Sequence, residues 1–178
     1  MKLKIFAVTL VVAVVLAACG EANTNEGNSS NENETQDIKE LVQGYSVGNI
    51  KSESASITSQ QLIVTDSDES KSVYDLPEDK FFVSIAPYIN KTHPCTDHNL
   101  TGCQGELVNE EFDVYIEDTE GNVILDETLK SQSNGFIDLW LPRDKTYRIK
   151  IEHGGKMVRS EFSTFENDGT CITTMQLV

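Results

Sequence analysis

Between His93 and Cys103 the chain gathers two imidazoles and two thiols within eleven residues: His93-Pro94-Cys95-Thr96-Asp97-His98, continuing to Gly102-Cys103. The stretch lacks strand periodicity and reads as a loop rich in soft and borderline ligands. Far downstream, Cys171 and Met175 stand four apart on an expected strand, a spacing that points both side chains to one face. Thiolate with thioether suits Cu(I), while thiolate with imidazole also suits zinc. The spacing is not that of a paired Cys-x-x-Cys ribbon, so Cys171, 68 positions beyond Cys103, has to reach the loop by folding. Met175 on its own reads more readily as a core residue than as a ligand.

The remaining cysteine belongs to different chemistry. Lys2 and Lys4 precede a fourteen-residue apolar run from Ile5 to Ala18, broken only by Thr9 and ending in Leu16-Ala17-Ala18-Cys19. The pattern is that of a secretory leader, and the run is shorter than the ~20 residues a spanning helix needs. Small residues before a cysteine form a lipobox, which makes Cys19 the expected lipidated N-terminus of an extracytoplasmic protein held at the cell membrane. Three thiols then remain, and an odd number cannot all pair within one chain. In an oxidising compartment that leaves two readings. All three sulfurs form a metal or redox site, or Cys95 and Cys103 form a structural disulfide beside an inert, buried Cys171.

Composition limits the partners. Without Lys2 and Lys4, 12 basic side chains face 29 acidic ones, a formal charge of −17. Nucleic-acid binding rests on basic groups at phosphates, so no nucleic-acid partner is expected, and adhesion to anionic lipid through the protein surface is disfavoured for the same reason.

The elements that must position the ligands follow from periodicity. Residues 20 to 35 carry no large apolar side chain and read as a disordered tether. Asp37 and Glu40 form an expected capping box for a short helix with Ile38, Leu41, Val42 and Tyr45 on one face, ending near Gly44 or Gly48. Beyond it the period becomes two. Strands are expected over Gln61–Thr65, Ser72–Leu76, Phe81–Ile89, around Phe112–Glu117, over Val123–Leu125, Phe136–Leu141, around Tyr147–Glu152, over Val158–Phe162 and over Cys171–Leu177. The expected fold is mainly β, an antiparallel sandwich or barrel-like domain with a short N-terminal helix. The expected organisation is a leader over 1–18, the lipidated cysteine and tether over 19–36, a helix-and-hairpin subdomain over 37–80 and a β-rich metal-binding domain over 81–178.

Several long strings also resemble one family. They are Phe82-Val83-Ser84-Ile85-Ala86-Pro87-Tyr88, Thr92-His93-Pro94-Cys95 with His98, Thr101-Gly102-Cys103-Gln104-Gly105-Glu106-Leu107, Asn134 through Arg143, and Thr170-Cys171-Ile172-Thr173-Thr174-Met175. In that order they resemble the CueP family of exported and periplasmic copper-binding proteins, over roughly Ile38 to Leu177. The resemblance implies copper tolerance as the role, Cys95, Cys103 and Cys171 as the metal and redox site, and reduction of Cu(II) to Cu(I) as an activity. It also implies copper supply to an exported superoxide dismutase.

On this reading Cys95 and Cys103, carried by one loop, are the expected redox pair. Cys171 holds the metal, and His93, His98 or Met175 completes the shell. The expected protein is primarily a metal-binding lipoprotein with cupric reductase chemistry. Its expected partners are copper ions, the membrane through its lipid, a copper-acceptor protein and a second copy of the chain. The alternative is an exported lipoprotein with a structural zinc or disulfide site.

Overall fold

The computed structural model describes residues 26–178, with side chains from residue 35 onward. The expected leader, Cys19 and the start of the tether lie outside the described residues. The chain forms α1 (Glu26–Ser46) and then β1 (Ser54–Ile57), β2 (Gln61–Thr65), β3 (Lys71–Asp75), β4 (Lys80–Ile85), β5 (His98–Asn99), β6 (Glu111–Asp118), β7 (Val123–Lys130), β8 (Ile137–Pro142), β9 (Thr146–His153), β10 (Lys156–Ser163) and β11 (Cys171–Ile172). The expectation of a mainly β fold with one helix holds. Among the described residues no helix is long and apolar enough to cross a membrane.

Three sheets make the scaffold, ordered β3-β2-β1-β5, β11-β4-β8 and β10-β9-β6-β7. The sheet of β11, β4 and β8 lies between the other layers, and its residues explain how. On β4 the odd positions Phe81, Val83 and Ile85 join Ile137, Leu139 and Leu141 of β8 in a core closed by Phe112, Val114 and Ile116 of β6 and Tyr147, Ile149 and Ile151 of β9. The even positions face the other way, where Phe82 and Trp140 meet Ala55, Ile57, Leu62 and Val64 together with Ile38, Val42 and Tyr45 of α1. A strand covered on both faces needs a near-continuous apolar run rather than alternation, which is what Phe81 to Ile85 supplies. The sheet of β6, β7, β9 and β10 has one dry face, and its central strands β6 and β9 alternate as the sequence indicates. Between β9 and β10, His153 pairs with Lys156 across Gly154 and Gly155. Both glycines have positive φ, 58° and 78°, as a two-residue hairpin turn requires.

Four local expectations change. Helix α1 begins at Glu26 rather than at Asp37, so Asp37 is an interior residue and not a cap. Ahead of it the sequence offers no apolar stripe, and Gly, Asn, Ser and Thr outnumber Glu and Gln, so helix propensity does not account for this extension. Strands β1 and β5 were not expected, being short and set among polar residues. The last strand stops at Ile172 and runs parallel to β4, pairing Cys171 with Ser84 and Ile172 with Ile85. Only an isolated bridge, Tyr88 to Gln176, continues it. Finally, the cysteine loop, read as lacking strand periodicity, contributes β5, which pairs with β1.

Candidate metal centre

The loop that leaves β4 is tied down at many points. Its start is clamped by Glu106, whose carboxylate accepts the backbone N–H groups of Ile89 at 2.6 Å and Asn90 at 2.8 Å. The bond from Asn90, then that from Ile89, hold the Glu106 carboxyl down at about 2. Farther along, the Cys171 N–H donates to Thr96 O at 2.9 Å. His98 N–H donates to Thr170 Oγ1 at 2.9 Å, and that hydroxyl donates onward to Ile57 O at 2.6 Å. A turn at Asn99, whose carbonyl accepts from Cys103 N at 2.9 Å, swings Cys103 back toward Cys95. Beyond it Gly105 and Gly135 meet backbone to backbone. A Cβ on Gly105 would lie 2.6 Å from Gly135 O, and Gly135 has φ of 81°, so a side chain at either position would push the loop off the sheet.

These ties bring the chemistry together. His93, Cys95, Cys103 and Cys171 each offer a ligand atom, and the four atoms lie within 4.8 Å of one another. Two sulfurs sharing one ion at bonds near 2.3 Å are at most ~4.6 Å apart, so the group is close to metal-binding spacing as it stands. Cys95 and Cys171 are disulfide-paired, their Cα atoms 5.7 Å apart. Cys103 is free, with its Sγ 3.6 Å from Cys95 Sγ. The pairing therefore differs from the expected Cys95–Cys103 couple. Proximity within a loop favoured that couple, whereas the Thr96–Cys171 backbone bond brings the final strand nearer to Cys95.

Exposure is graded across the three. Cys95 and Cys103 are half-buried, while Cys171 is 6% exposed and packs with Ala86 and Phe136. His98 is fully buried behind the cluster. Its Nδ1 is 3.5 Å from Cys171 Sγ and its ring centroid is 4.3 Å from that of Phe136. Burial first, and the neighbouring His93 second, push the His98 imidazole down to about 4, so it stays neutral at physiological pH. The Nε2 atoms of both His93 and His98 are buried without a hydrogen-bond partner. Such orphaned lone pairs or N–H groups are costly, and a metal would relieve the cost at His93, which belongs to the four-atom group.

Met175 goes elsewhere. It is fully buried in the core of β4, β6, β8 and β9, on the opposite side of the middle sheet from Cys171. Equal-face spacing presumed a strand through 175. Because β11 ends at Ile172, residues 173–175 turn the chain and the parity is lost. Two groups beside the cluster were not singled out as site residues: Asp138, and Ser84, whose hydroxyl donates to Asp138 Oδ1 at 2.5 Å. An acidic residue at alternate spacing within Ile137-Asp138-Leu139-Trp140-Leu141 was the available signal. It reads as an outward polar position until the second layer is known to cover it.

Residues 38–176 match the family model described as periplasmic copper-binding protein CueP. The fold is similar to the crystal structure of S.CueP, at 34% identity and a TM-score of 0.74, covering 84% of this chain and 98% of that chain. No curated protein matches the chain.

Proposed function

Because the chain belongs to the CueP family of periplasmic copper-binding proteins, we propose that it binds copper outside the cytoplasm, as a lipoprotein anchored through Cys19. Cys95, Cys103 and Cys171 are its Cu(I) ligands, with His93 completing the set and His98 supporting it from behind. The observation that carries this reading is the convergence of those three sulfurs and one imidazole within 4.8 Å, from positions spread over 79 residues of sequence. Soft thiolates favour Cu(I), and the imidazole offers Cu(II) a nitrogen on arrival.

Reductase chemistry follows from the same atoms. Two cysteine thiols closing to a disulfide release two electrons and two protons, which reduces two Cu(II) to two Cu(I). The pairing of Cys95 with Cys171 supports those two as the donors, leaving the Cys103 thiol to retain Cu(I). Further turnover needs a thiol reductant to reopen the disulfide, and half-buried Cys95 is the sulfur such a reductant reaches. Delivery of copper to an acceptor protein, and pairing with a second copy of the chain, belong to the same proposal.

The deciding experiment is anaerobic loading of the reduced mature protein with Cu(I), followed by stoichiometry and X-ray absorption. Sulfur scatterers at Cu–S distance, with one copper bound per cluster, support the reading. A spectrum of nitrogen and oxygen scatterers alone refutes it. One imidazole with three thiols is also a structural zinc set, so the same sample is challenged with zinc: copper should displace zinc, and the fold should persist when either is removed.

A further inference from the structure

Strand β3 is an open edge of the first sheet, bonded to β2 on one side only. The bonds from Asp66 N to Ser70 O and from Leu76 N to Gln60 O fix which way each residue of this hairpin turns its backbone. Bonded and non-bonded pairs alternate along an antiparallel ladder, so Ser72 and Tyr74 spend their backbone groups on β2. Lys71, Val73 and Asp75 aim theirs outward, and among the described residues no backbone partner meets them.

The side chains of this edge are as unguarded as its backbone. Val73 is 54% exposed and Tyr74 41%, two adjacent apolar groups on one short strand. Val73 stands beside its Cα partner, half-buried Ile63 of β2, on the face turned away from the core. The other long edges are blunted. Strand β7 carries Asp126 and Glu127, like charges that repel a copy of themselves, and on β10 the outward groups of Met157 are taken by Val178 at 3.0 and 3.1 Å. An edge left open and apolar is a template for another strand.

The sequence of β3 indicates which strand. Laid antiparallel on itself about Val73, Lys71-Ser72-Val73-Tyr74-Asp75 sets Lys71 opposite the copy's Asp75, Asp75 opposite the copy's Lys71, and Tyr74 opposite the copy's Ser72. Opposite charges facing each other across strands attract. Every outward N–H then meets a carbonyl of the copy, and the Ile63 and Val73 side chains continue into the same two residues of the other chain. We propose that two copies of this chain pair through β3 in this register, as a two-fold contact that presents the same patch on both sides.

The inference deepens the reading of a second copy as partner and rests on that reading rather than on copper. His98 lies on β5, at the opposite edge of the first sheet, so pairing through β3 leaves both cysteine clusters at the far ends of the joined sheet. The contact spans five residues of each chain, less than a standard interface, so association in solution is weak. Two copies held to one membrane through Cys19 meet at a raised effective concentration.

The test is sedimentation of the reduced, metal-free mature chain over a range of concentrations, with reductant excluding any disulfide between chains. The parent should pass from monomer to dimer as concentration rises. Lys71→Asp and Asp75→Lys each turn both attractive pairs into repulsive ones and should each weaken association about tenfold, with melting temperatures close to the parent because both positions are exposed. Mixed in equal amounts, the two variants should pair with each other about as well as the parent pairs with itself, and the double variant should recover self-association. In the parental dimer, amide exchange should slow at Lys71, Val73 and Asp75 and stay unchanged at Ser72 and Tyr74. A parental dimer that neither single variant weakens, or a mixture that fails to recover, overturns pairing through β3 and leaves a second copy as partner through another surface. A parent that is monomeric at every concentration overturns both, and leaves the edge to an extended segment of a different protein.

Discussion

Cys95 and Cys171 stand 76 positions apart in sequence with their Cα atoms 5.7 Å apart, and Cys103 Sγ lies 3.6 Å from Cys95 Sγ. Cys95 is therefore the shared centre of the cluster. Oxidised protein should titrate one thiol among these three, and peptide mapping should join Cys95 to Cys171. In Cys171→Ser, the contact between Cys95 and Cys103 should allow that pair to oxidise instead. A parental map joining Cys95 to Cys103 would reverse this assignment.

Replacing Cys95, Cys103 or Cys171 by Ser should cut Cu(I) affinity by at least about tenfold in anaerobic chelator competition, because a hydroxyl is a harder, less polarizable ligand. Cys103→Ser, at a half-buried position packed against Ala86, Phe136 and Cys171, should cost about 1 kcal/mol of stability, the middle of the range for single substitutions, and leave the fold intact. Unaltered Cu(I) affinity in Cys171→Ser would mean that Cys171 only packs.

Met175 should behave as a core residue. Met175→Ala removes a fully buried side chain and should cost roughly 2–5 kcal/mol in denaturant unfolding. Met175→Leu, nearly volume-conserving, should cost less than about 1.5 kcal/mol and leave Cu(I) retention as in the parent. Weakened retention in a stably folded Met175→Leu would return the thioether to the ligand set.

Glu106 should give the loop an acid dependence. Its carboxyl is held at about 2 by the Asn90 and Ile89 N–H groups, below its unfolded value of 4.5. A depressed carboxylate contributes stability that is full above the unfolded value and lost as pH falls toward the folded one. The melting temperature of the parent over Glu106→Gln should therefore be highest above pH 5 and shrink between about pH 4.5 and 2. A difference independent of pH would mean that the ionised form is not what the loop needs.

Mixed with excess Cu(II), reduced protein should yield about two Cu(I) per chain, the electron count of one disulfide, read with a Cu(I)-specific chelator. Cys171→Ser should still yield Cu(I) if Cys95 and Cys103 can replace the donor pair, but with weaker retention. A parent yielding none, with all thiols titratable, would leave binding without reduction.

What the sequence determined by itself is local and periodic. Alternation in β6 and β9 marked one-sided strands, the run from Phe81 to Ile85 marked a strand, and Ile38, Val42 and Tyr45 marked a helix face, because each pattern reports which side is dry. Residue type alone nominated His93, Cys95, Cys103, His98 and Cys171, since few side chains combine softness with a lone pair. What only the tertiary structure decided depends on distances that no spacing encodes. Which two sulfurs pair rests on the backbone bond from Cys171 to Thr96. Met175 turns inward because β11 ends at Ile172, and one lost strand residue changes the face of everything after it. Asp138 reads as a solvent-facing residue in the strand pattern and becomes a half-buried acid only because the end of α1 at Ser46, with Gln132, closes over it. Burial of this kind is a property of the second layer, which the strand itself does not record.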